Sequence, residues 1–573
     1  MRPHAVRGPA AAGAGAALFW ALLCLRWFDV GVSRRPPWLE VVPPVLPGVA
    51  ALVLLLAWLR ARWATFAAPP LAAARGGLWL VVLLAIAFRL PLAWQGAAGA
   101  VTPDGALSGI VALHVRDGIE RLVFVPNVPY SGSLKSHVTA LLALAIDPAR
   151  AFALTSVLFY AAFVAAVYRL ALLVRDPATA LAAGLYLAFA PPYLTHYSVS
   201  NDGNYVEVLA LGTWALWLAA RWCREEDLSE RARLALGAGL LLGLGFWCHI
   251  LAVIHLAAVG LVLVSWGGAR ALRSGLALGG GLALGYLPGL LWNAANGWAS
   301  LAYLVPGGPI VRHAAEERIA PGAHAVAIVT EQLRFLFGYD FGYTPFVDGL
   351  FAKLAALAVG VALLATVVAV GRAWRGPNPA RRVLLLFVVV NVLFVVLALP
   401  HITGNPRYLL FLMAALPVFL AEALDRGWKR GLMGALIAFG ALGSIAAFPG
   451  AVRDDDKWRG FVSRLEREGV RWCYTDFHLA TQVNFLSEER IVCTAKLGPT
   501  TGEYFFSYRD QVERAPEAAL IPVNRTAADR LEKRLAELGV TFERRELLKP
   551  VLLRLSRKVD PEELFPGREF PLR

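Results

Sequence analysis

The chain has 573 residues, 58% of them hydrophobic and only 17% charged, with a mean hydropathy of +0.57. Soluble domains carry about 25% charged residues, so this composition excludes an ordinary soluble enzyme and indicates a membrane protein. Lys and Arg total 55 against 41 Asp and Glu, a formal charge of +14; no basic cluster is interleaved with aromatics, so the excess base reads as loop charge in a polytopic protein and not as a nucleic-acid footprint.

The N-terminus, MRPHAVRG followed by an apolar run, reads as a retained first helix, because no clear cleavage site precedes a polar mature region. Crossing about 30 Å of hydrocarbon takes roughly 20 apolar residues. Such runs occur near 10–28, 38–58, 71–93, 149–174, 178–195, 205–222, 274–292, 349–371, 383–399, 408–424 and 431–449. The stretch 234–266 is too long for one span; Gly243, Gly245 and Cys248-His249 at its middle predict two short helices with a turn between them. The expected fold is therefore an all-α polytopic bundle of about thirteen transmembrane helices, followed by a small C-terminal α/β domain.

Orientation follows from the positive-inside bias. Arg60, Arg62 and Arg75 mark one connection, Arg221, Arg224, Arg231 and Arg233 a second, and Arg270 with Arg273 a third. Arg372, Arg375, Arg381 and Arg382 mark a fourth, and Arg426, Lys429 and Arg430 a fifth. All five share one face when 234–266 is counted as two helices. This places the N-terminus in the cytoplasm and the loops 94–148, 196–204, 293–348, 400–407 and everything after 450 in the periplasm of a bacterial inner membrane. Arg34 and Arg35 break the pattern.

The first outer loop, Val101 to Lys135, is a polar interruption in an apolar half. Thr102-Pro103-Asp104 reads as an N-cap, a first-turn proline and a first-turn acid, opening a helix that runs to Asp117 and stops at Gly118. Leu107, Ile110, Val111 and Val115 form one apolar face, which predicts an interfacial helix lying along the membrane surface. A second short helix, about 134–146, follows the YSGS turn.

After Pro449 the composition becomes that of a soluble domain, so the domains are expected at 1–449 and 450–573. GVRWCYTD, ERIVCTA, AALIPV, TFERREL and VLLRLS read as strands; an amphipathic stretch at 456–468, FHLATQVNFLS and 526–538 read as helices. Asp454-Asp455-Asp456 reads as a solvated run near a helix start. Cys473 and Cys493 sit on what could be neighbouring strands, and strand facing decides whether they pair. The five cysteines include no CxxC pair or zinc-like spacing. This domain lacks a G-x-G-x-x-G loop, so it reads as a lid or docking platform.

PDGALSGIVALHVRDG and VPYSGSLKSHVTALLALAI resemble the first outer loop of the bacterial GT-C glycosyltransferases, relatives of the protein O-mannosyltransferases and the lipid A aminoarabinose transferase. SNDGNYVEVLALGTWAL, GLLLGLGFWCHILAV, GNPRYLLFLMAALP and GVRWCYTDFHLATQVNFLSEERIV resemble further segments, in the expected order. The resemblance implies a polyprenyl-phosphate-linked monosaccharide donor, transfer at the outer face with inversion, and Asp104 as the catalytic base. Tyr130, Gly132 and Ser133 match the second part of the loop, and Arg407-Tyr408 an Arg-Tyr pair opening a late span. Lys135 stands where these relatives often carry an acid.

Inverting transfer needs one base for the acceptor proton and cations for the leaving phosphate. Asp104 serves as the base or is only a helix-start acid favoured by the dipole. Arg407 and Lys135 are candidate phosphate ligands; an interfacial arginine also snorkels without any ligand. Arg312, Arg318 and Arg334 are further cations. Asp202 and Glu207 flank the outer end of a span and are substrate-contact candidates, with an Asn201-Asp202-Gly203 turn as the plainer account. His249 reads first as a turn histidine satisfied by backbone, and second as a substrate contact; His249 with His401 is a thin basis for a metal. No cofactor is certain: the resemblance leaves a divalent metal possible, since some GT-C relatives use one, and no DxD-like cluster in a membrane-adjacent loop indicates it. The acceptor, an envelope glycan, lipid or protein, is not encoded in these motifs. A lipid-linked glycan polymerase or ligase shares the setting. A transporter would show internal repeats and mid-membrane charges, and no repeat is found.

Overall fold

The computed structural model describes residues 7–28, 71–200, 202–268, 271–303, 319–337, 376–399, 406–497 and 505–564, with single positions between them. The expected spans 38–58 and 349–371 lie almost wholly outside the described residues, as do Arg312, Arg318 and His401.

The first half is helical: α1 (Arg7–Trp27), α2 (Leu71–Gln95), α3 (Pro103–Arg116), a two-stranded hairpin of β1 (Phe124–Val125) and β2 (Val128–Gly132), then α4 (Leu134–Leu142), α5 (Pro148–Val174), α6 (Pro177–Ala188), α7 (Pro192–Ser200) and α8 (Tyr205–Trp222). There follow α9 (Leu228–Cys248), α10 (Val253–Gly267), α11 (Ala271–Gly285), α12 (Leu287–Ala295), α13 (Pro379–Ala398), a 3-10 segment Arg407–Ala414, and α14 (Leu416–Ala423). Among the described residues six helices are long and apolar enough to cross a membrane, or seven when α11 and α12, bent by 69°, are counted as one span.

The bundle's breaks follow from proline and glycine. The run expected at 178–195 divides at Ala190-Pro191-Pro192, because a residue before proline is pushed out of the helical region and Pro192 can reopen a helix as its first residue. Arg89 of α2 covers the carbonyls this break leaves open: its guanidinium donates to Ala188 O at 2.8 Å and Leu187 O at 3.3 Å, and to Ser198 Oγ at 2.6 Å. The 234–266 stretch divides as expected, with α9 ending at Cys248 and a 3-10 turn, Ile250–Ala252, before α10. α9 crosses α11 at backbone contact; a Cβ at Gly239 or Gly281 would overlap the facing carbonyl of Leu278 or Leu236.

A single 39-residue helix, α15 (Lys429–Arg467), leaves the bundle and enters the C-terminal domain, with Pro449 inside it. The span expected at 431–449 and the helix expected at 456–468 are this one element, and the boundary set at 449/450 falls within it. Beyond it come β3 (Trp472–Thr475), α16 (Phe477–Leu486), β4 (Val492–Ala495), α17 (Phe506–Arg514), β5 (Ala519–Leu520), α18 (Arg525–Glu537), β6 (Glu543–Glu546) and β7 (Pro550–Leu553). The sheet order is β4-β3-β5-β7-β6, with β3, β4 and β5 parallel and β7 antiparallel to both neighbours. Cys473 and Cys493 are direct partners in the β3–β4 register and are joined as a disulfide.

Two sequence expectations need correction. The helix expected to lie on the membrane surface, α3, is buried from Gly105 to Val115, because the C-terminal domain covers the side that an amphipathic pattern assigns to solvent. α16 packs along it: a Cβ at Gly109 would stand 2.6 Å from the Phe485 ring, and Gln482 Nε2 donates to Val101 O at 2.7 Å. Asp455, expected in a solvated run, is 6% exposed; it accepts from Ala98 N at 2.6 Å and pairs with Arg459 at 2.8 Å. Arg459 also reaches Asp147, the N-cap of α5, at 3.0 and 3.1 Å. Burial alone would raise the Asp147 carboxyl, and the Arg459 guanidinium overrides it and holds it below the usual range.

Gly109→Val should destabilise the protein by about 1–3 kcal/mol, because an added isopropyl group must displace the Phe485 ring from a filled core. The check is the melting temperature in nanodiscs, where an unchanged value would contradict the close approach of α3 and α16.

Candidate active site

The site is assembled around Asn204. This residue holds left-handed backbone (φ 59°) at the entrance to α8, directly after Gly203 (φ 78°). Asparagine tolerates that region better than most side chains. Its Nδ2 donates toward Ser131 Oγ at 3.0 Å, Gly132 O at 3.0 Å and Cys248 O at 3.1 Å. One amide thereby ties the first-loop hairpin to the break between α9 and α10. Three other contacts close the same seam. Ser131 forms an isolated β-bridge with His249, Trp247 Nε1 donates to Val123 O at 2.9 Å, and Gly132 lies so near Trp247 that a Cβ would overlap its carbonyl.

Aromatic rings surround this seam. Tyr130 meets the His249 ring edge-on at 5.6 Å and Tyr303 at 5.4 Å. Tyr205 lies 5.5 Å from His249, 5.9 Å from Tyr197 and 5.9 Å from Phe411, and Tyr193 packs on Tyr197 at 5.1 Å. Arg407 begins the 3-10 segment here. Its guanidinium carbon is 5.4 Å from the Tyr408 ring centroid, and its charge is felt by Tyr197, Tyr205 and His249. The result is a cation set among tyrosines, which suits an anionic headgroup carrying a sugar.

The structure distributes the other expected residues as follows. Asp104 is exposed in the first turn of α3, whose N-cap Thr102 accepts Gly105 N–H at 3.0 Å. The same helix packs against the 202–204 turn, so its carboxylate and the Asn204 seam belong to one end of the bundle. Glu207 is fully buried in the first turn of α8 and is electrostatically coupled to Cys248. His249 Nδ1 accepts the Leu251 N–H at 3.1 Å and so caps the 3-10 turn. Ser133 is buried, with its hydroxyl donated to Leu122 O at 2.5 Å and Val123 O at 3.1 Å. Lys135 is 1% exposed, with Nζ 3.4 Å above the Phe152 ring. The side chains of Asp202 and Arg334 lie outside the described residues.

Sequence reasoning missed Asn204, Tyr193, Tyr197 and Tyr205. The signal was present in PYLTHYSVSNDGNY: tyrosines spaced i, i+4 on one helix face, followed by an Asn-Asp-Gly-Asn turn. Among the described residues no group of three or more His, Cys, Asp or Glu converges as a metal site.

No protein-family model matches the sequence, and no curated protein matches it. Solved structures do. ArnT from Cupriavidus metallidurans in the apo state superposes with a TM-score of 0.55 at 13% identity, covering 84% of this chain and 98% of that one. The same enzyme bound to undecaprenyl phosphate gives 0.52 at 13% identity, covering 82% and 97%. The chain has the fold of these ArnT structures and, with six long apolar helices among its described residues, is a multi-pass membrane protein.

Asn204→Ala removes the amide from three acceptors and puts alanine, which tolerates left-handed backbone less well than asparagine, at this position, a loss of about 2 kcal/mol. Hydrogen exchange at 130–133 should quicken in this variant; unchanged protection there would mean that the hairpin is held by other contacts.

Proposed function

We propose that the chain is an inverting glycosyltransferase that moves a monosaccharide from a polyprenyl-phosphate carrier to an acceptor at the periplasmic face of a bacterial inner membrane. The observation that carries this reading is the composition of one bundle end: an exposed carboxylate, Asp104, leads a helix that is otherwise buried, and Arg407 lies among tyrosines beside the seam which that helix contacts. The likeness to ArnT along nearly its whole length, including its complex with undecaprenyl phosphate, supports the donor class. The charge of the connections supports the orientation, with residues 1–449 as the transmembrane catalytic domain and 450–573 as the periplasmic domain.

In this reading Asp104 takes the proton of the acceptor hydroxyl while that oxygen bonds to the anomeric carbon. The carbon–oxygen bond to the carrier phosphate breaks, and polyprenyl phosphate leaves with the electron pair. Arg407 meets the charge that develops on the phosphate, and the low dielectric among the Tyr193, Tyr197 and Tyr205 rings strengthens that contact. Tyr130 and Tyr408 are assigned to orienting the sugar and Glu207 to supporting the start of α8 beneath it, while Ser133, His249 and Lys135 shape the loop that supports them.

Asp104→Asn should lower kcat by about 10²–10⁴-fold while undecaprenyl-phosphate binding persists. Retained turnover in the purified variant would remove Asp104 from the base role. Arg407→Ala should weaken binding of undecaprenyl phosphate about tenfold in native mass spectrometry; equal binding would remove it from the phosphate site. Mass spectrometry of envelope glycans, with and without the protein, identifies the acceptor.

A further inference from the structure

The C-terminal domain grips the far end of the helix that carries Asp104. His114, 4% exposed on α3, has Nδ1 2.6 Å from Glu120 Oε1 and Nε2 2.9 Å from Glu489 Oε1. Tyr508 of α17 donates its hydroxyl to the same Glu489 oxygen at 2.5 Å and stands 3.3 Å from Nε2, and the Phe505 ring lies 5.3 Å away. With a carboxylate at each nitrogen, both ring nitrogens act as donors, so the ring is an imidazolium. Next to this pair Arg116 reaches Glu488 at 2.7 Å and Asp117 at 2.7 Å.

Glu488 and Glu489 both hold left-handed backbone, with φ of 51° and 60°. Two consecutive non-glycine residues in that region are strained, and such strain persists only where surrounding contacts fix it. Here the fixing contacts are the backbone bonds Glu488 N–H to Phe485 O and Glu489 N–H to Asn484 O, together with the two ion pairs to α3. The turn after α16 spends backbone strain to aim two adjacent carboxylates at one helix of the bundle.

We infer that His114 and Glu489 are positioning residues, a charged latch by which the C-terminal domain holds the Asp104-bearing helix in its working place. The turnover consequence rests on the base role of Asp104; the mechanical coupling does not.

The charged and titratable groups facing His114 are Glu120 from the segment after α3, Glu489 from the turn after α16, Tyr508 from α17 and Asp117 at the end of α3 itself. Burial alone would depress the imidazole, and hydrogen bonds and charge from Glu120 and Glu489 outweigh it, raising it to about 9. Glu489 is held below its ordinary range, its own burial being overridden by His114. A raised histidine contributes fully below its unfolded value of 6.5 and loses its contribution as pH rises through about 9. A depressed carboxylate contributes above its ordinary 4.5 and loses its contribution as pH falls through its lowered value. The latch is therefore closed at neutral pH and opens on the alkaline side.

The test uses the full chain in nanodiscs. Glu489→Gln should reduce kcat about tenfold with the donor KM changed less than twofold, and should move the alkaline fall of kcat from about pH 9 toward neutrality. His114→Arg keeps a cation that does not titrate in this range, so its alkaline fall should disappear. The protection factors of α3 amides, corrected for intrinsic exchange at each pH, should fall about tenfold in Glu489→Gln at pH 7, and in the parent protein above pH 9. An unmoved alkaline limb with unchanged α3 protection overturns the latch, as does a raised donor KM with kcat intact. A chain with pH-dependent α3 protection and no sugar transfer upholds the latch and overturns the transferase reading alone.

Discussion

The amide of Asn204 joins two pieces of chain, neither of which is secure by itself. A two-stranded hairpin is marginal in isolation, and an interrupted helix leaves carbonyls without intrahelical partners. Asn204 spans Ser131, Gly132 and Cys248, and so completes the hairpin edge and the α9 terminus with one side chain. Left-handed backbone at this residue is what turns the amide toward the seam, and α8 starts at the next position. The placement of Tyr130, Tyr205 and His249 follows, since each is on, or one residue from, a segment that Asn204 ties. Loss of this clasp would free rings and cation together.

The burial of α3 gives the C-terminal domain a physical role. An interfacial helix would roll and shift with the lipid surface. α3 is instead packed against a stacked pair, Phe152 of the bundle and Phe485 of the domain, 6.0 Å apart in one continuous apolar cluster. Asp104 is exposed in its first turn while Gly105 to Val115 are buried, so the carboxylate is carried by a helix held on both sides of the domain boundary. The dipole of that helix favours the anion at this end, while Arg116 and His114 sit at the other, where cations are favoured. The Asp147–Arg459–Asp455 pairs add a second tie near the start of α5, where the long helix α15 passes. Two separated ties fix an orientation that one would leave free to swivel.

How much of this was legible in the sequence varies with the physics of each element. The split near Cys248-His249 was readable because its length was wrong for one helix and its middle held polar and small residues. The strands around Cys473 and Cys493 were readable from β-branched and aromatic runs, but their pairing depended on register, which strand sequence does not encode. The break at Ala190-Pro191-Pro192 was marked by proline and hidden by an apolar run that continued across it. The place of α3 was not readable at all. A helix pattern reports one apolar face, and Gly109 looks like a weak position in it until Phe485, almost four hundred residues later, is seen to fill the space a side chain would occupy. Asn204 was hidden for a similar reason, because its partners come from two distant loops.

The two cations singled out in the sequence occupy unlike surroundings, and the contrast bears on the proposed chemistry. Lys135 is almost fully buried, with its ammonium 3.4 Å above the Phe152 ring, in the same ring pair that packs against α3. Moving that ammonium to a phosphate would mean pulling it off the aromatic face and away from the packing of α3. Arg407 begins its segment, is flanked by tyrosines and presents a planar guanidinium whose parallel N–H groups match two phosphate oxygens. A phosphate held by Arg407 in the proposed reaction would leave the packing of α3 undisturbed. In the proposed reaction the charge on the leaving group is met by Arg407, and Lys135 supports α3 from beneath. The acid-to-lysine exchange at position 135 then changes how the loop is held more than which group receives the phosphate.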